Sequence, residues 1–154
     1  MAESVWDYPR PPRMEASPKR IQIIFNGETI ADSKSTFRIL ETSHPPVYYI
    51  PPKEFRTEYL SRATRMSYCE WKGQASYYDL TVKDRKEQAV VWYYPSPPQS
   101  YAMVKDYLAV YPSRMDRCLV DGEEVVAQEG DFYGGWITSE IKGPFKGGAG
   151  TMGW

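Results

Sequence analysis

Histidine and cysteine are scarce in this chain: one His and two Cys in 154 residues. The single His44 cannot hold a metal without partners. Cys69 and Cys118 form no C-x-x-C pair, so no metal site is expected. No apolar run approaches the ~20 residues needed to span a bilayer, which argues against a membrane partner. The opening Met1-Ala2-Glu3-Ser4-Val5-Trp6-Asp7 is acidic and has no apolar centre, unlike a signal peptide. Two reduced thiols in a cytoplasmic protein is the favoured reading of the cysteines; a single disulfide is the alternative. An excess of charge of one sign is also missing. Nineteen basic residues face twenty acidic ones, for a net charge of −1, so no nucleic-acid partner is expected. No G-x-S-x-G occurs, and the G-x-G-x-x-G spacing of Gly148, Gly150 and Gly153 lies in a glycine-rich stretch with no strand pattern before it, which leaves a hydrolase elbow and a dinucleotide fold without support and implies no cofactor.

What is present is aromatic. Phe, Trp and Tyr make up 15% of the chain, with 13 Tyr. Such rings favour strands and half-wet surfaces, where the body is buried and the polar tip is hydrated. The length fits one domain with a proper core. Ile21, Ile23 and Phe25 alternate, and Asn26-Gly27 follows; Asp121-Gly122 repeats that device. Both dipeptides suit a type I′ hairpin turn, which needs positive φ twice. The two segments are alike enough for an internal duplication, but the same turn chemistry used twice is the simpler account. A third hairpin is expected to join 76–82 to 88–94 through residues 83–86. Strands are expected at 36–41 and 107–111, a short helix at 52–60 after Pro52, and a single turn capped by Ser100. Short strands, frequent turns and little helix predict an all-β, β-dominated domain. Residues 1–18 read as a proline-rich extended arm pinned by Trp6, residues 19–136 as the domain, and residues 137–154 as a glycine-rich tail packed on it by Phe145, Met152 and Trp154. The tail's Lys146 precedes its glycines, which rules out a phosphate loop.

Candidate chemistry gathers in two stretches. On a strand through Phe37 and Ile39, Glu41 occupies the next position on the apolar face. The alternative is that the strand ends at Leu40 and leaves Glu41 in water. Residues 69–77 read as one strand carrying Cys69, Trp71, Ala75 and Tyr77 on one side. A bulge at Gly73 would turn Lys72 toward Tyr77; without it, Lys72 belongs to a solvated face. Tyr49, Trp71, Tyr77, Trp92 and Tyr94 would wall the site, although core packing is the commoner use of such rings. A carboxylate and an ammonium among rings suit a small anionic or zwitterionic ligand, or a proton transfer. His44, followed by Pro45-Pro46, reads as a loop residue.

Glu41-Thr42, Tyr49-Ile50-Pro51, Cys69-x-Trp71-Lys72-Gly73-x-Ala75-x-Tyr77, Trp92-x-Tyr94-Pro95 and Asp121-Gly122 resemble the bacterial and fungal family catalogued as domain of unknown function 427. The similarity covers about residues 20–127. Phe132-Tyr133-Gly134-Gly135-Trp136 and Gly143-Pro144-Phe145-Lys146-Gly147 resemble its extended bacterial subgroup. Glu70 departs from a common proline. The resemblance implies a β-tent, two antiparallel sheets meeting at an angle. It implies little about activity. The family is sometimes filed beside nucleotidyltransferases, but no Gly-Ser followed by Asp-x-Asp occurs here. The expectation is therefore an uncharacterised domain with a small-molecule pocket, binding or catalytic, in which Glu41 and Lys72 act. The alternative is an interaction module whose extensions dock a partner or form a homodimer.

Overall fold

The computed structural model describes residues 2–130 and 133–154; Met1 and Phe132, quoted above, lie outside these. The chain is β-dominated, as expected, with several antiparallel sheets. The longest sheet runs Ala109–Val110, Arg85–Tyr93, Gly73–Val82, Leu60–Cys69 across its width. A second four-stranded sheet orders Glu123–Glu124, Arg117–Val120, Ile21–Phe25, Glu28–Ser33. A three-stranded sheet orders Arg13–Ser17, Thr36–Leu40, Val47–Tyr49. Two short ribbons complete the fold. Val126–Ala127 pairs antiparallel with Trp136–Ile137, and Glu3–Ser4 pairs parallel with Ile141–Lys142. No helix among the described residues is long and apolar enough to cross a membrane.

Period-two patterning sets the core. Ile21, Ile23 and Phe25 are fully buried, while Gln22 and Ile24 between them are half-buried. Leu80 and Val82 do the same on the long sheet, with Thr81 exposed. Both expected turns have the positive φ of type I′: Asn26 48° and Gly27 80°, Asp121 49° and Gly122 85°. The third hairpin is tighter than expected. Val82 pairs with Arg85, so only Lys83 and Asp84 form the turn.

Several expectations are corrected. Residues 69–77 are not one strand. Cys69 pairs with Gly73 across a hairpin whose loop is Glu70-Trp71-Lys72. Gly73 adopts φ 89°, the left-handed conformation that closes a three-residue loop. The 52–60 helix is two single 3-10 turns, Pro52–Glu54 and Thr57–Tyr59. Phe55 interrupts them in extended conformation, because burying its ring and bridging Ala31 outweighs helix continuation. The turn near Ser100 spans Gln99–Val104 and starts after Pro98, with no side-chain cap. The 107–111 strand shrinks to Ala109–Val110 and the 36–41 strand to Thr36–Leu40.

At the N-terminus the anchor is Val5, which is fully buried; Trp6 is 41% exposed. Val5, Tyr8, Leu40 and Ile141 form a small second core, and Phe145 packs against it. The Trp6 indole N–H donates to the Pro144 carbonyl (2.8 Å), and its ring meets Trp154 edge-on at 5.2 Å. Met152, expected to pack, is exposed.

Leu80→Ala should cost about 2–5 kcal/mol, because a fully buried side chain leaves a void behind it. Urea denaturation should show a lower midpoint at unchanged m-value. A loss under about 1 kcal/mol would contradict this account of the core.

Candidate functional site

A cavity of about 330 Å³ opens where the three-stranded sheet faces the long sheet. All seven residues singled out above line it: Glu41, Tyr49, Trp71, Lys72, Tyr77, Trp92 and Tyr94. Strand alternation brings Ile39 and Glu41 to the same face, although hydrogen-bonded pairing stops at Leu40. Glu41 therefore sits past the strand end, half-buried, at the head of a turn. His44 N–H donates to the Glu41 carbonyl at 3.0 Å, and Ser43 takes φ 71°. The Glu41 carboxylate has two loose partners, Arg10 Nε and His44 Nδ1, each at 3.9 Å.

His44 is a loop residue, as expected, but the loop forms part of the cavity wall. Its Nδ1 is 2.8 Å from the Thr42 carbonyl. A carbonyl oxygen can only accept, so Nδ1 carries the proton and Nε2 holds the lone pair of the neutral ring. Burial lowers the imidazole pKa below its ordinary 6.5. The nearby Lys146 and Arg10 push the same way, against the Thr42 contact and Glu41.

Lys72 reaches the cavity through a route different from the expected bulge. It is the last loop residue of the hairpin, and the turn folds it inward until it is only 7% exposed. Its Nζ lies 5.6 Å from the centre of the Tyr94 ring, a cation–π contact. Among the described residues it makes no hydrogen bond or ion pair. The stem is covered while the unpaired Nζ reaches the cavity, where the ring face makes up only part of what a counter-charge would supply.

The walls are interlocked rings. Trp92 and Tyr111 lie 4.6 Å apart, and Tyr49 and Tyr94 6.4 Å apart. The Tyr77 hydroxyl is within 2.9 Å of Ser67 Oγ, and Arg65 covers the Tyr77 ring at 4.7 Å. Burial holds the Tyr49, Tyr94 and Tyr111 phenols above their ordinary pKa, so they stay protonated as donors at neutral pH. Cys69 also lines the cavity as a free thiol. Cys118 is free as well; it lies in the core, where burial pushes its thiol up to about 12.

The last wall comes from residues that sequence reasoning passed over: Gln128, Tyr133, Gly134 and Lys146. Gly134 lies flat on Trp92, and a Cβ there would run into the indole. Lys146 carried no signal beyond its place in the Gly143-Pro144-Phe145-Lys146-Gly147 motif and its failure to fit a phosphate loop. His44 carried one, its position three residues after Glu41. Among the described residues no group of three or more His, Cys, Asp or Glu could hold a metal.

The family described as Domain of unknown function (DUF427) matches residues 13–121. That stretch includes Glu41, His44 and Lys72 but stops short of Gln128 and Lys146. No curated protein matches the chain.

His44 is the only histidine, so its titration can be followed directly. Its folded pKa lies below 6.5, so the unfolded chain binds the proton more readily as pH falls. Stability associated with neutral His44 is therefore complete above pH 6.5 and declines as pH drops toward the depressed folded value. Urea denaturation between pH 7.5 and 5.5 should show this decline in the native chain and less of it in His44→Gln. An imidazole NMR titration with a midpoint at or above 6.5 would overturn the assignment.

Proposed function

The chain belongs to the DUF427 family, and from that premise we propose that its cavity binds a small organic anion with a flat, largely apolar body. The observation that carries this reading is Lys72, a residue 7% exposed that lines the cavity and has no carboxylate against it among the described residues. A bound anion would supply the missing counter-charge. A charge-assisted hydrogen bond of that kind contributes about 1.5–3 kcal/mol. Tyr49, Trp71, Tyr77, Trp92 and Tyr94 would sandwich the flat body, each stacked ring adding roughly 1–3 kcal/mol by analogy with base stacking. Glu41, loosely held by Arg10 and His44, would accept a hydrogen bond from an N–H or ammonium at the ligand's other end. A zwitterion would satisfy both poles.

A second reading, catalysis of a proton transfer, is favoured by one detail. The His44 tautomer leaves Nε2 able to accept a proton, with Glu41 close enough to stabilise the imidazolium that results. Docking of a second copy through the terminal segments has less behind it, because Trp154 already meets Trp6 within the chain.

Benzoate and related aromatic acids should raise the melting temperature of the native chain, and benzamide should not. Lys72→Met keeps the apolar stem but removes the charge. Calorimetry should then show affinity falling on the order of ten- to a hundredfold. Equal affinity in the variant, or no stabilisation by any small anion, would reject the proposal.

A further inference from the structure

The cavity's last wall is held by one buried amide. Gln128 is 4% exposed. Its Oε1 accepts the Gly135 N–H at 3.1 Å, and its Nε2 donates to the Lys146 carbonyl at 2.6 Å. One side chain thus ties together two points eleven residues apart in sequence. Releasing either bond would leave a buried polar group unsatisfied, which holds the clasp closed. The Lys146 N–H donates to the Ser43 carbonyl at 2.9 Å, fixing the same segment to the turn that carries Glu41 and His44.

The clasp delivers a second ammonium to the cavity. Lys146 is half-buried, and its Nζ lies 5.7 Å from the centre of the Tyr133 ring. Like Lys72, it has no ion pair among the described residues. Among the described residues, the acidic groups in the wall do not answer these two cations. Glu41 has Arg10 and His44 at 3.9 Å, and Glu70 is exposed, where water screens it.

We propose that the cavity selects ligands bearing two negative charges, with Lys72 and Lys146 as the two counter-charges and Gln128 as the residue that positions Lys146. This rests on the anion-binding reading above and names the ligand class within it: flat molecules carrying a phosphate monoester, or two carboxylates. Lys146 is the specificity residue, because Lys72 alone serves any anion.

The test uses the full-length chain and two matched pairs of probes at pH 8. Phenyl sulfate and phenyl phosphate have the same shape but different charge. Benzoate and terephthalate differ by a second, separate carboxylate. Calorimetry on the native chain should show the dianion of at least one pair binding about tenfold tighter than its monoanion. Lys146→Met should abolish that ratio by weakening the dianion far more than the monoanion, and Lys146→Arg should keep it. Loss of the ratio in the phosphate pair puts both charges on one group; loss in the carboxylate pair puts them on two. If Lys146→Met leaves both ratios unchanged, or weakens monoanion and dianion equally, the dianion proposal falls and the anion pocket stands. If neither pair binds the native chain, both fall.

Discussion

A lysine ammonium turned inward against the face of a tyrosine, with no carboxylate among the described residues to meet it, is the constraint on which the site depends. Water would solvate that charge better than the protein does. The hairpin enforces the position nonetheless. Ladder pairing from Leu60–Leu80 to Cys69–Gly73 fixes where the loop must turn, and the left-handed Gly73 fixes how. Of the three loop residues, Lys72 is the one directed onto Tyr94. Local backbone geometry therefore places a charge where burial alone would not, the kind of conflict between levels that accompanies a functional site.

The rings make that placement tolerable. Tyr49, Tyr94, Trp92 and Tyr111 are nearly buried, yet all line the cavity. They belong to the core on one edge and to the site on the other. For this reason core packing and a place in the cavity wall are not opposing accounts of these residues. The same rings do both, and a truncation of any of them would loosen the core and the cavity together.

Much of this was legible from residues. Alternation of Ile21, Ile23 and Phe25, and the two Asx-Gly turns, follow from period-two sterics and positive φ, which are local properties. Glu41 could be found because apolar alternation ran into it. Lys72 was found for a mistaken reason: a bulge within one strand was expected, and a hairpin turn was observed. Both devices use Gly73, and composition alone does not separate them. Phe55 broke the expected helix because its burial depends on a bridge to Ala31, a contact absent from local sequence. Gln128 and Lys146 were passed over for the same physical reason. Their roles come from long-range contacts, such as the clasp of Gln128 on Gly135 and Lys146, and not from periodicity.

The pairing of Glu3–Ser4 with Ile141–Lys142 ties the first strand to the segment that precedes Lys146. The two extremities of the polypeptide are thus mechanically one piece. A fragment trimmed to the family's matched stretch, residues 13–121, would retain Glu41 and Lys72 and could look intact by its hairpins. It would nevertheless lose the Val5 anchor, the Gln128 clasp and one of two cations in a single cut. Binding data gathered on such a fragment would describe a pocket with one wall missing, and affinities from it should not be transferred to the whole chain.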